Sequence, residues 1–165
     1  MSAVLAYVGL GSNQNEPRRQ IASALDALGQ IRDTRLLRRS SFYSSRPWGM
    51  LEQPDFLNAV AELETTLGAA ELLDELLMVE RRAGRQRDST RWGPRIIDLD
   101  LLLYGSLQIR EKGIEVPHPH ILERSFVVLP LAELAYDLIV PGRGSIADAV
   151  ATFDPESCQR LAEGP

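Results

Sequence analysis

The stretch Arg91-Trp92-Gly93-Pro94-Arg95-Ile96-Ile97-Asp98-Leu99-Asp100-Leu101-Leu102-Leu103-Tyr104-Gly105 decides how this chain is read. Its apolar residues predict a β-strand over 96–104, with two aspartates at alternate positions on one face. Carboxylates so placed stand about 7 Å apart beside a buried surface, where like charges repel and desolvation is costly. A divalent cation bound to both would relieve that repulsion. Arg91 and Arg95, just upstream, suit phosphate oxygens. Carboxylates that hold a cation beside guanidinium groups are what a magnesium-nucleotide site requires. A strand with its polar face in water, and with Leu99, Leu101 and Leu103 on the other, fits the same spacing.

The segment before the strand weighs on that choice. Residues 80–95 carry six arginines, Arg81, Arg82, Arg85, Arg87, Arg91 and Arg95. Such a run is ordinarily a solvated loop. This one ends three residues before Asp98, so guanidinium groups and acids converge on one sheet edge. Gly84 and Gly93 would let the loop over 84–94 move.

Outward from this region, hydrophobic periodicity sets the remaining elements. Val4 to Leu10 reads as a strand ended by the turn Gly11-Ser12-Asn13. Pro17 suits a first helical position, and Ile21, Ala24, Leu25 and Leu28 follow at helical spacing. A second strand is expected over Arg35 to Tyr43, then a long loop, Ser44 to Asp55, with Pro47, Gly49 and Pro54; such loops are often functional. Phe56 to Leu63 reads as a third strand, and Leu72, Leu73, Leu76, Leu77 and Val79 as an amphipathic helix to about Arg82. The order β-α-β-β-α-β predicts an α+β fold on the ferredoxin-like plan, an antiparallel sheet with helices packed on it. A C-terminal helical extension, Glu123 to Leu134, is expected after Pro117-His118-Pro119-His120. A tail with Pro141, Gly142 and Gly144 closes the chain.

Length and composition narrow the function classes. At 165 residues, 44% hydrophobic and 25% charged, the expectation is one globular domain spanning 1–165. A net charge of −5 argues against a nucleic-acid partner bound over the whole surface. The basic residues are 17 arginines and one lysine, Lys112, so a phosphate site here is built from guanidinium forks. Cys158 is the single cysteine, which fits a reducing cytoplasm. The N-terminus lacks a basic signal region, and no apolar run reaches the ~20 residues that span a bilayer.

Several motifs are incomplete. Gly9-Leu10-Gly11-Ser12-Asn13-Gln14 begins like a dinucleotide fingerprint but has Gln14 in place of the third glycine, and no stretch matches a P-loop. His118 and His120 lack a third ligand for zinc, so a phosphate contact or a structural role is favoured. Phe56 and Phe126 would by default be core aromatics. Asn58 within a strand is more unusual, because a buried amide needs partners, which a flat heterocycle could supply.

Taken together, these residues resemble the 6-hydroxymethyl-7,8-dihydropterin pyrophosphokinases of folate biosynthesis. The resemblance covers nearly the whole chain. It rests on Gly11-Ser12-Asn13, Ser41-Phe42-Tyr43 with Pro47 and Gly49, Gln53-Pro54-Asp55-Phe56-Leu57-Asn58-Ala59, Arg91-Trp92-Gly93-Pro94-Arg95 through Asp98-Leu99-Asp100, and Val116-Pro117-His118 with Arg124-Ser125-Phe126.

It implies transfer of pyrophosphate from ATP to the pterin hydroxymethyl group, with release of AMP and with two Mg2+ ions as cofactor. Asp98 and Asp100 match the metal-holding positions, and Arg85 and Arg95 match loop arginines that assist transfer. Glu80, Arg87, Arg91, Trp92, Leu101, His118 and Arg124 match positions around ATP. Phe56 and Phe126 match the aromatics that sandwich the pterin, while Gly11, Ser45 and Asn58 match its hydrogen-bonding positions. Trp48, bulkier than the family's aliphatic residue, stands at the pterin rim with Arg46, and Ser45 replaces a threonine. The expected partners are small-molecule substrates, with no nucleic acid and no membrane, and the expected state is a cytoplasmic monomer. The competing expectation is a noncatalytic ferredoxin-like module that binds a small molecule or RNA. An RNA binder should show strand aromatics on a basic sheet face.

Overall fold

Proline begins the first helix and alternation marks the central strands, much as the periodicity requires. The computed structural model describes residues 2–45, 55–84 and 96–162. In chain order the first elements are β1 (Val4–Ser12), α1 (Pro17–Leu28), β2 (Thr34–Arg39), β3 (Tyr43–Ser45), β4 (Phe56–Thr65), α2 (Ala69–Gly84) and β5 (Asp98–Tyr104). They are followed by β6 (Ile109–Glu111), β7 (Ile114–Val116), α3 (Ser125–Ala135), β8 (Ile139–Val140), β9 (Gly144–Ser145), α4 (Ile146–Val150) and β10 (Cys158–Arg160). One antiparallel sheet runs β10-β3-β4-β1-β5, with β2 also beside β4. The fold is a mixed one, helices packed on an antiparallel sheet.

The sheet has two covered faces. On one, Ala6, Val8, Leu10, Leu57, Ala59, Ala61, Leu63, Leu99 and Leu101 pack against the buried stripes of α1 and α2. On the other, Tyr7, Val60, Leu102 and Leu103 pack against Val127, Val128 and Leu131 of α3 and Ile146 of α4. Leu103 therefore does not share a face with Leu99 and Leu101. A β-bulge is the reason: β1 pairs Tyr7 with Leu103 but Val8 with Leu101, so Leu102 has no residue opposite and the alternation slips. The bulge falls after Asp100 and leaves both aspartates on the α3 side.

The single strand expected over 35–43 is broken into β2 and β3. Side chains make the break. The Ser40 hydroxyl accepts from the Val60 N–H at 2.8 Å, and the Ser41 N–H and hydroxyl both donate to the Glu133 carboxylate. Serine groups that bond backbone in this way compete with a regular ladder. The tail is also more than a tail: Cys158, Gln159 and Arg160 pair with Ser45, Ser44 and Tyr43 and cover the edge of β3.

Candidate active site

Residues directly opposite on neighbouring strands share a face, so register alone gathers the predicted site. Gly11 of β1 stands between Asn58 of β4 and Asp98 of β5. One row on, Gly9 stands between Val60 and Asp100. Val60 belongs to the α3-side cluster, which puts Asn58, Phe56, Gly9, Gly11, Asp98 and Asp100 on that same side. On β3, Tyr43 is opposite Asn58 and Ser45 is opposite Phe56. The structure thus brings Gly11, Ser45, Phe56 and Asn58 of the expected pterin-facing set and both metal-holding aspartates onto one end of one sheet face.

The two glycines shape what lies between them. Gly11 puts no side chain between Asn58 and Asp98, whereas the Leu102 side chain lies over Gly9, 3.5 Å from where a Cβ would stand. Strands two apart in a sheet are about 10 Å from each other. A Cβ on Gly11 would lie 3.1 Å from Asn58 Oδ1, so the amide already fills the space a side chain would need.

Asn58 and Ser45 are buried, and the Asn58 amide donates to the Ser45 hydroxyl at 2.8 Å. An amide has two N–H donors and an acceptor oxygen, so this bond orients it without exhausting it. Phe56 is partly buried on β4, and Phe126 is partly buried on α3. The guanidinium of Arg124, the extended residue just before α3, lies 5.8 Å from the Phe126 ring centre.

On the metal side, Asp98 is partly buried and Asp100 exposed. Among the described residues no three His, Cys, Asp or Glu side chains form a metal cluster. Two carboxylates with the remaining coordination left to water and phosphate oxygens is the arrangement magnesium favours, so the residues present fit the ion. His118 is tied to the same strand by its N–H, which donates to the Leu102 carbonyl at 2.9 Å. Its Nδ1 accepts from the His120 N–H at 3.1 Å, which leaves the proton of the neutral ring on Nε2. Burial lowers the His118 pKa; the Asp100 carboxylate opposes that shift and the Arg124 guanidinium adds to it. The ring is therefore neutral at neutral pH, within electrostatic reach of Asp100 and Arg124.

Two further positions matched to ATP, Glu80 and Leu101, flank this strand end. The Glu80 carboxylate, near the end of α2, accepts from the Leu99 N–H at 2.7 Å and so ties that helix to β5. Leu101 points its side chain into the helix-side core, away from the aspartates, and can offer a ligand only its backbone. Arg85, Arg87, Arg91, Trp92, Arg95, Arg46 and Trp48 lie outside the described residues. The ends of their segments are nonetheless placed. One leaves α2 at Gly84 and returns at Ile96, whose carbonyl accepts from the buried Ser12 hydroxyl at 2.6 Å. The other leaves β3 at Ser45 and returns at Phe56, directly opposite.

Sequence reasoning missed the polar supports beneath the site. Tyr7 donates to Glu62 at 2.5 Å, and Arg38 binds both Glu62 oxygens at 3.0 Å and the Leu134 carbonyl at 2.7 Å. Glu133 gathers Ser41 and Tyr43 in the same way. The available signal was Glu133 itself, the one charged residue in the otherwise apolar helix Ser125–Ala135.

Comparison with known proteins identifies the family. Residues 7–136 match the family model described as 7,8-dihydro-6-hydroxymethylpterin-pyrophosphokinase (HPPK). The chain is 45% identical over 150 residues to a 2-amino-4-hydroxy-6-hydroxymethyldihydropteridine pyrophosphokinase of Haemophilus influenzae, covering 91% of this chain and 93% of that one. It is 46% identical over 155 residues to the enzyme of that name from Pseudomonas aeruginosa, covering 94% and 95%. A crystal structure of wild-type Plasmodium falciparum HPPK-DHPS with pteroate has the same fold, with a TM-score of 0.73 at 11% identity over 91% of this chain. This chain spans only 44% of that larger one. On the family match and these relatives, the chain belongs to the HPPK family.

Proposed function

We propose that this chain transfers the β,γ-pyrophosphoryl group of ATP to the hydroxymethyl oxygen of 6-hydroxymethyl-7,8-dihydropterin, releasing AMP, as a step of folate biosynthesis. One observation carries the reading: Asn58, Gly11 and Asp98 form a single row across three strands. A flat pterin held at the Asn58 end would present its hydroxymethyl group toward phosphates held at the Asp98 end.

The chain's part in the reaction is orientation and charge. Asn58, fixed by Ser45, takes the polar edge of the pterin, and Phe56 and Phe126 take its faces. The hydroxyl oxygen bonds to the β-phosphorus while the bond from that phosphorus to the oxygen shared with the α-phosphorus breaks. AMP leaves with that oxygen, and the hydroxyl proton passes to water. Asp98 and Asp100 would hold magnesium, two ions by resemblance, which supplies alignment of the phosphates and neutralises their charge. Arg85 and Arg95 donate to oxygens that gain charge as AMP departs. Arg124 and the neutral His118 border the nucleotide, with Arg87, Arg91 and Trp92. Among the described residues no side chain is placed as a nucleophile, and we propose direct transfer without a covalent intermediate.

We read β1, α1, β2 with β3, β4, α2 and β5 as the ferredoxin-like βαββαβ core, extended by α3, within one domain over 1–165. The sheet order supports this. Among the described residues no helix is long and apolar enough to cross a membrane. Separately, we propose a cytoplasmic monomer, a location that the single cysteine fits. The test is incubation with ATP, magnesium and the reduced pterin. AMP and pyrophosphorylated pterin should form in equal amounts; ADP formation, or no AMP, would overturn the reading.

A further inference from the structure

Helix α3 carries more than Phe126. Phe126, Pro130 and Glu133 recur at positions i, i+4 and i+7, which places them in one stripe about 10 Å long on the helix. At the far end of that stripe the Glu133 carboxylate gathers three groups, two from Ser41 in the break between β2 and β3 and one from Tyr43 of β3. The Tyr43 hydroxyl donates to Oε1 at 2.8 Å, the Ser41 N–H is shared between Oε1 at 3.1 Å and Oε2 at 3.0 Å, and the Ser41 hydroxyl donates to Oε2 at 3.2 Å. The Arg160 guanidinium of β10 lies 3.8 Å from Oε2. Burial and the adjoining Glu133 carboxylate both raise the Tyr43 pKa, so the phenol stays protonated and remains a donor.

Tyr43 is not a bystander to the site. It is the cross-strand partner of Asn58 and lies two residues from Ser45, which accepts from the Asn58 amide. Opposed side chains on antiparallel strands are about 5 Å apart at Cβ, so the buried Tyr43 ring borders the amide. The strand that carries Ser45 is only three residues long and follows a break in the ladder. It is laddered to β4 on one edge and to β10 on the other, and the bonds to Glu133 add a side-chain tie from α3.

We infer that Glu133 is a positioning residue for pterin recognition: it locks Tyr43 and Ser41, and through them the Ser45–Asn58 pair, at a fixed distance from Phe126 on its own helix. The inference rests on the pterin reading above. Glu133 touches no substrate; it sets the gap between the amide wall and one aromatic face.

The test compares Glu133→Gln and Tyr43→Phe with the wild type by steady-state kinetics in both substrates and by thermal melting. Losing a hydrogen bond to a charged group at this distance should raise the pterin KM about tenfold in Glu133→Gln and about threefold in Tyr43→Phe. The KM for ATP should stay within about twofold of wild type, since the aspartate end is untouched. The double variant should be no worse than Glu133→Gln alone, because the two changes remove one network. A fall in melting temperature with both KM values unchanged would make Glu133 merely structural and overturn the inference. So would equal rises in both KM values. If Glu133→Gln does not fold, Tyr43→Phe carries the same split. A wild type that releases no AMP would fail the proposed reaction itself and this inference with it; a wild type that turns over while neither variant changes the pterin KM fails the inference alone.

Discussion

Gly11 and Asn58 face each other across the β1–β4 ladder, and a Cβ at position 11 would lie 3.1 Å from the Asn58 amide oxygen. That contact is tighter than ordinary packing, so Gly11→Ala must turn the amide or spread the strands. The expected outcome is a rise of about tenfold in the pterin KM, an energy near 1.4 kcal/mol, with the ATP KM unchanged. Steady-state kinetics in each substrate checks it. Normal pterin KM in Gly11→Ala would show that the amide does not touch the substrate.

Asp98 and Asp100 share a face at the open end of β5, with Asp100 exposed. Neither side chain is needed to fill the core. Asp98→Ala and Asp100→Ala should each lower turnover by at least about a hundredfold, while melting stays within a few degrees of wild type. Near-normal turnover in either variant would refute the metal assignment.

Arg95→Ala and Arg85→Ala should depress kcat about a hundredfold, equivalent to roughly 3 kcal/mol of transition-state stabilisation, with ATP affinity nearly unchanged. Isothermal titration with a nonhydrolysable nucleotide supplies the affinity. An equal loss in affinity would make these arginines binding residues instead.

The buried Glu62 carboxylate is held below its ordinary range chiefly by its hydrogen bonds from Arg38, with Tyr7 adding to the effect. A group whose folded pKa is depressed contributes stability above its unfolded pKa and loses it as pH falls through the folded value. Glu62→Gln should therefore cost about 2 kcal/mol at neutral pH. The gap between wild type and variant should close as pH drops below about 4.5, the ordinary glutamate value. Urea unfolding at a series of pH values measures the gap; one that widened in acid would contradict the assignment.

Burial pushes the Cys158 thiol up to about 11, and the residue is buried opposite Ser45 in the β10–β3 ladder. Native protein at pH 8 should resist a thiol reagent such as dithionitrobenzoate and react fully once unfolded. Rapid labelling of the native chain would show that β10 does not stay on the sheet edge.

Much of this was legible in local pattern. Helical spacing located α1 and α2, and the alternation Asp98-Leu99-Asp100 placed the acids on one face. Leu101-Leu102-Leu103-Tyr104 has no period, so nothing in it announced the bulge that turns Leu103 toward α3. The break after Arg39 depends on Val60 and Glu133, residues far along the chain that no local window contains. The pairing of Cys158 with Ser45 is hidden for the same reason: a three-residue strand gains its place only from its partner. The resemblance matches Leu101 to the nucleotide, and burial on the helix side of the sheet leaves its backbone for that role.

A crystal structure of the complete protein with magnesium, a nonhydrolysable ATP analogue and the dihydropterin tests the account most directly. Ions should bridge the Asp98 and Asp100 carboxylates to the phosphates, with the pterin between Phe56 and Phe126 against Asn58. Nucleotide bound instead in the groove between α1 and α2, a cavity of about 350 Å³ lined by Gln20, Arg32, Met78 and Arg82, would contradict it.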